Sequence, residues 1–102
     1  MAIIDVTVIP LGTENPSISG YVAEIQKILE IFQKQQEIEY QLTPMNTIIE
    51  GELPILFEVI QDIHEVLFTR GIQRIATNIR IDDRKDKKSE MKNKLRNVYN
   101  KM

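Results

Sequence analysis

Cysteine is absent from this chain of 102 residues. With it go disulfides, thiol nucleophiles and every cysteine-held metal site, including the soft ligands that metal delivery requires. Histidine occurs once, at His64, so acid–base chemistry has one imidazole to draw on. Tryptophan is missing, and the four glycines are scattered, which leaves no glycine-rich phosphate loop and no nucleophile elbow. No apolar run approaches the length of a membrane span. Met1-Ala2-Ile3-Ile4-Asp5 lacks the basic start of a signal peptide, so the expected location is cytoplasmic.

The charge is present but divided. From Asp82 to Met102 there are eight Lys or Arg and four Asp or Glu, whereas residues 1–81 hold five basic and eleven acidic side chains. A modestly basic end on an acidic body suits docking against an acidic surface better than binding of nucleic acid, which calls for a clustered basic face. An apolar fraction of 42% and a charged fraction of 27% are those of an ordinary globular chain. Its length allows one core, marginal for an isolated monomer, and residues 1–102 read as a single domain.

Periodicity supplies the architecture. Ile4, Val6 and Val8 alternate with Ile3, Asp5, Thr7 and Ile9, a strand expected to end at Pro10. Gly12-Thr13-Glu14-Asn15-Pro16 reads as a loop, and Ser17 or Ser19 is placed to cap the helix that follows. Val22, Ile25, Leu29 and Phe32 give that helix its apolar stripe, with Gln26 among the polar residues on its remaining surface. Tyr40 and Leu42 alternate with Gln41 and Thr43, Pro44-Met45-Asn46 forms a turn, and Thr47-Ile48-Ile49 resumes a β-branched run up to Gly51. Asn46 is expected to take a left-handed conformation there, tolerating Gly and rejecting Val. Pro54 fits a first helical turn, followed by the stripe Leu56, Ile60, Ile63 and Leu67 and a left-handed cap at Gly71. Gln73 to Asp82 alternates as a fourth strand. After a charged connector, Ser89 can cap a last helix with the stripe Met91, Leu95 and Val98.

The order β-α-β-β-α-β, with right-handed crossovers and a tight central hairpin, predicts an α+β ferredoxin-like sandwich with an additional C-terminal helix. Strand parity sorts the two sheet faces. Ile4, Val6, Val8, Ile38, Tyr40, Leu42, Ile75, Ile79 and Ile81 should lie under the helices. The open face carries Ile3, Asp5, Thr7, Ile9, Glu39, Gln41, Thr43, Ile48, Glu50, Arg74, Ala76, Asn78 and Arg80. It has no aromatic ring on which a base could stack, which excludes single-strand RNA binding of the usual kind. Two readings of it stay open: a solvated face with Glu39 or Glu50 paired to Arg80, or a sheet-to-sheet dimer interface enclosing a polar pocket. The size of the chain and its spare tail helix favour self-association.

The string Tyr40-Gln41-Leu42-Thr43-Pro44-Met45-Asn46-Thr47-Ile48-Ile49-Glu50-Gly51 resembles the signature hairpin of the thiamine-binding protein family. Pro10-Leu11-Gly12-Thr13, His64-Glu65, Gly71-Ile72-Gln73-Arg74-Ile75-Ala76-Thr77 and Lys94-Leu95-Arg96-Asn97-Val98 follow in the family's order, so the likeness spans nearly the whole chain. Asn46 stands where the family usually has Gly, and Asn97 where a serine is common. The resemblance implies ferredoxin-like subunits paired as homodimers, and often tetramers, through their sheets. It also implies binding of thiamine or its hydroxymethylpyrimidine portion without catalysis. From the residues themselves, no metal, no other cofactor, and no nucleic-acid or membrane partner is expected. The alternative is a regulatory or scaffolding homo-oligomer holding another small ligand, or a protein, on the open face. An enzyme would have to rely on His64 and Glu50, which parity places apart.

The ligand site is expected as a polar pocket between subunits or at the sheet edge beside the Pro44-Met45 turn, lined by Thr43, Thr47, Glu50 and Asn78. Thr43, Glu50 and Asn78 share the open face by parity. Thr47 has the opposite parity and joins them only if the hairpin carries a bulge. Glu50 offers a charge for a thiazolium and acceptors for an aminopyrimidine.

Overall fold

In the computed structural model, residues 1–11 and 19–85 are described, together with Arg96, Val98, Tyr99 and Lys101. The expected capping serine Ser17 and nearly all of the expected C-terminal helix lie outside the described residues. Strand β1 (Ala2–Leu11), helix α1 (Ser19–Lys34), strands β2 (Ile38–Leu42) and β3 (Thr47–Gly51), helix α2 (Leu53–Val66) and strand β4 (Arg74–Asp83) follow in that order. The four strands form one antiparallel sheet in the order β2-β3-β1-β4. That is the ferredoxin-like sandwich, with both helices on one face.

The helices form where the stripes place them. Ile25, Leu29 and Phe32 of α1, and Leu56, Val59 and Ile63 of α2, are buried against Ala2, Ile4, Val6, Ile38 and Ile49 of the sheet. Pro54 sits in the first turn of α2, where its missing N–H costs nothing. At the far end the chain tightens into a short 3-10 turn, Phe68–Arg70, and Gly71 closes it at φ 86°, left-handed as expected. Arg70 of that turn forms an ion pair with Glu24 of α1.

Three expectations change. Pro10 does not end β1, which runs on to Leu11. The pairing of β1 with β3 stops at Val6↔Thr47, while its pairing with β4 continues to Leu11↔Arg74. From Thr7 onward the strand has a neighbour on one side only, so a proline nitrogen turned to the other side forfeits no ladder bond. Second, the helix-side face is covered unevenly: Ile79, Ile81 and Leu42 are exposed by 37%, 46% and 53%. The helices lie mainly over β1, β2 and β3, leaving the edge strand β4 to the side; His64 of α2 reaches it, its Nδ1 lying 2.6 Å from the Thr77 hydroxyl. Third, Arg80 forms its ion pair with Asp5, at 2.8 Å, a partner not singled out above.

The turn leaving α1 also carries a residue under strain. Gln36 N–H donates to the Gln33 carbonyl at 2.9 Å and Glu37 N–H to the Phe32 carbonyl at 3.2 Å, the paired bonds of a Schellman cap. The left-handed residue in it is Gln36, at φ 61°, where a Cβ is unfavourable. Replacing Gln36 with Gly should therefore stabilise the protein by about 0.5–1 kcal/mol, the steric relief exceeding the entropy that Gly adds to the unfolded chain. Urea denaturation checks this, and a lower midpoint for the Gly variant would contradict it.

Candidate functional site

The hairpin between β2 and β3 is closed by a side chain. Thr43 N–H donates to the Asn46 carbonyl at 2.9 Å, and the Thr43 Oγ1 accepts from the backbone N–H of Met45 at 3.2 Å and of Asn46 at 3.0 Å. The same hydroxyl directs its proton to Asn46, whose Oδ1 is 2.8 Å away. Pro44 supplies the fixed φ that starts the turn. The left-handed conformation expected at Asn46 is not found: Gln36 is the one non-glycine residue with positive φ among the described residues. With two amides already held by Thr43, the turn closes on ordinary dihedrals. Asn46→Gly is thus expected to lose an acceptor and gain nothing.

The turn, the open end of β1 and the first half of α1 enclose a cavity of about 160 Å³ on the helix side of the sheet. Val6, Val8, Val22, Ile25, Leu42 and Ile63 give it apolar walls, Pro44 and Met45 stand at its lip, and Thr43, Thr47, Asn46 and Gln26 bring polar atoms to it. Met45 is 83% exposed, a flexible thioether beside the opening.

The four residues expected to form one site divide into two pairs. Thr43 and Thr47 both line this cavity. The hairpin has no bulge, since β2 and β3 pair regularly from Leu42↔Thr47 to Ile38↔Gly51. Thr47 keeps its helix-side parity, and it is Thr43, one residue past the last pair, that turns over to join it. Glu50 and Asn78 stay on the open face. Glu50 lies between Glu39 and Ile3, and Asn78 lies opposite Thr7. Glu50 is only 8% exposed despite its position. Near it the open face holds a shallow depression of about 350 Å³, whose lining includes Ile3, Asp5, Ile48, Arg80 and Asp82. The sheet separates Glu50 from His64, so the acid–base pair considered from the sequence does not converge.

The cavity's polar groups are unequal. The Thr43 hydroxyl is spent on the turn. The Thr47 side chain, 8% exposed, makes no hydrogen bond among the described residues. Gln26 was legible only as part of the polar surface of α1, yet its Nε2 is fully buried without a partner. A buried donor left unpaired costs about 1–3 kcal/mol, and native structures hold few of them. The available signal is its spacing: Gln26 follows Val22 by four residues and precedes Leu29 by three, at the border of the apolar stripe. Among the described residues there is no group of His, Asp or Glu side chains that could hold a metal, and no helix is long and apolar enough to cross a membrane.

Sheet order, helix placement and the hairpin-end cavity define a small ferredoxin-like α+β protein. A family model, thiamine-binding protein, matches residues 4–99. The chain belongs to that family. It is 63% identical over 98 residues to the UPF0045 protein YqgV of Bacillus subtilis (strain 168), covering 96% of this chain and 94% of that one. The hypothetical protein MJ1052 of Methanocaldococcus jannaschii superposes with a TM-score of 0.79 at 28% identity, covering 96% and 95% of the two chains. A candidate thiamine biosynthesis/salvage protein of Thermotoga maritima shares the fold, with a TM-score of 0.76 at 16% identity over 95% and 97%.

Proposed function

We propose that this protein is a non-catalytic binder of thiamine or its hydroxymethylpyrimidine portion, and that the ring enters the cavity at the hairpin end. The observation that carries this reading is the cavity itself, with apolar walls and a few convergent polar groups at the hairpin end. At about 160 Å³ it is smaller than the roughly 300–1,000 Å³ of sites for drug-sized ligands. One aminopyrimidine ring suits it, with the thiazolium of thiamine left outside near Met45. Membership of a family described as thiamine-binding supports the same ligand.

Of the four expected site residues, Thr47 is the one we assign to direct contact. Thr43 shapes the turn, while Glu50 and Asn78 belong to the open face, where they serve self-association as a homodimer or tetramer. The depression beside Ile3 and Ile48, apolar residues on a face of mixed character, supports an interface there. A cytoplasmic location and the absence of catalysis complete the proposal, the latter supported by the separation of His64 from Glu50.

Calorimetry with thiamine and with hydroxymethylpyrimidine tests the ligand. Binding should appear with one or both, and a ligand specific for the native state should raise the unfolding midpoint. Thr47→Val keeps shape and removes the hydroxyl, so it should weaken affinity about 3- to 10-fold, whereas Glu50→Gln should leave affinity nearly unchanged. No heat with either ligand at millimolar concentration would end the vitamin-binding reading. Light scattering that gave a stable monomer at micromolar protein would end the proposal of self-association.

A further inference from the structure

Strand β4 ends the sheet. It lies last in the order β2-β3-β1-β4, so its outer edge has no neighbouring strand among the described residues. Such an edge offers a row of unpaired N–H and C=O groups, which native proteins guard by keeping the strand short or by adding proline, bulges or lysine. β4 uses none of these: it is 10 residues long, pairs with β1 residue for residue, and contains no Pro, Gly or Lys. Its helix-side residues Ile75, Thr77, Ile79 and Ile81, which pair with Pro10, Val8, Val6 and Ile4, are incompletely covered, Ile79 and Ile81 being exposed.

We propose that this edge docks a second copy of the same chain, two β4 strands pairing antiparallel about a two-fold axis at Asn78. Directly opposed residues point to the same side of a sheet, so only registers that match parity set apolar face beside apolar face. Centred on Asn78, the register opposes Arg74 to Asp82, Ile75 to Ile81, Ala76 to Arg80 and Thr77 to Ile79, each pair occurring twice by symmetry. Residues 74 to 82 are then paired, nearly the whole strand. The neighbouring parity-matched registers oppose like charges: centring on Thr77 sets Arg74 against Arg80, centring on Ile79 sets Arg74 against Arg84, and centring on Arg80 sets that residue against itself. Like charges directly opposite destabilise a strand pair. Registers centred further out engage half of the strand or less. Arg74 forms no ion pair among the described residues, and Asp82 of the second copy gives it one. The contact is separate from the open-face association proposed above: it continues the sheet sideways and leaves both faces free.

The chain has no cysteine, so single introduced thiols report the register. Asn78→Cys sets two thiols directly opposite, with Cα atoms about 4.5–5.5 Å apart, within disulfide reach. Diamide should convert most of that variant, at micromolar concentration, to a covalent dimer. Thr77→Cys and Ile79→Cys each put their own thiols two residues out of step, with Cα atoms about 8 Å apart, too far for a disulfide. Alone, each should give several-fold less dimer; mixed, they face each other and should cross-link as Asn78→Cys does. Arg74→Asp or Asp82→Arg, added to Asn78→Cys, should lower its yield several-fold by opposing like charges. An equimolar mixture of those two chains pairs opposite charges again and should restore the yield.

Self-cross-linking of Thr77→Cys or Ile79→Cys as strong as that of Asn78→Cys would overturn the register, and so would a charge-swapped mixture that yields no more dimer than its components. Cross-linking of Asn78→Cys beside a silent mixture of Thr77→Cys and Ile79→Cys would place the contact between open faces, because residues 77 and 79 point to the helix side, and would overturn edge pairing. Absence of a cross-link in every variant would overturn it as well, leaving any association seen by light scattering to the open face.

Discussion

Truncation of Leu56 to alanine should cost about 2–5 kcal/mol of folding stability, toward the upper part of that range. Leu56 is fully buried and stands in the first turns of α2, where the helix comes down onto β3. Beneath it is Gly51: a Cβ built on that glycine would lie 3.5 Å from the Leu56 Cδ2. On that side the floor of the hole is the backbone of Gly51, which offers no side chain to fill it, and cavities that collapse poorly are the costly ones. A domain of this size holds about 5–15 kcal/mol in all. A loss near 3 kcal/mol would lower the thermal midpoint by roughly 12–24 °C. Urea and thermal unfolding of the variant measure it. A loss below about 1 kcal/mol would mean that α2 re-seats on the sheet.

The same contact seen from below gives the second large effect. Gly51 pairs with Ala2 on one side and Ile38 on the other, on the helix-side face. A methyl there would meet the Glu37 carbonyl oxygen at 3.0 Å and the Ile38 Cγ2 at 3.3 Å. The first of these is backbone and cannot rotate away. Gly51→Ala should thus cost about 1–3 kcal/mol, although alanine is ordinarily the better residue outside special conformations, and Gly51→Val should cost more. Combining Gly51→Ala with Leu56→Ala should recover only part of the sum, since space opens on the Leu56 side while the Glu37 carbonyl stays in place. Fully additive losses would show that the two residues do not share that space; a Gly51→Ala variant as stable as wild type would show that β2 shifts freely.

The fold was legible because it is written in periods. Alternation in β1 and β4 and the stripes of α1 and α2 each name a face without reference to anything distant. What parity cannot express is where a strand loses its neighbour. Pro10 looked like a terminus because sequence alone does not reveal that β1 has outrun β3. Arg80 was matched to Glu39 or Glu50 for the same reason: which carboxylate it meets depends on the register between β1 and β4. The lining of the candidate cavity was legible in part. Thr43 was named by strand parity and Thr47 by resemblance, and both line one cavity, but Thr43 reaches it through a turn held by its own hydroxyl, on the face opposite to the one parity gave it. Gln26 was missed because a glutamine beside an apolar stripe looks like any other solvent-facing residue until the strand opposite it is known.

The placing of β1 between β3 and β4 also governs how the molecule comes together. The β2–β3 hairpin closes over the few residues from Leu42 to Thr47, so it forms at little entropic cost. The pairs that secure β1 join Ala2 to Gly51 and Ala2 to Asp83, separations that slow folding far more than they weaken the finished structure. The strand in the middle of the sheet therefore waits longest for its partners. During synthesis it is made before either of them, and the edge meant for β4 stays open to foreign strands until residue 83 has emerged.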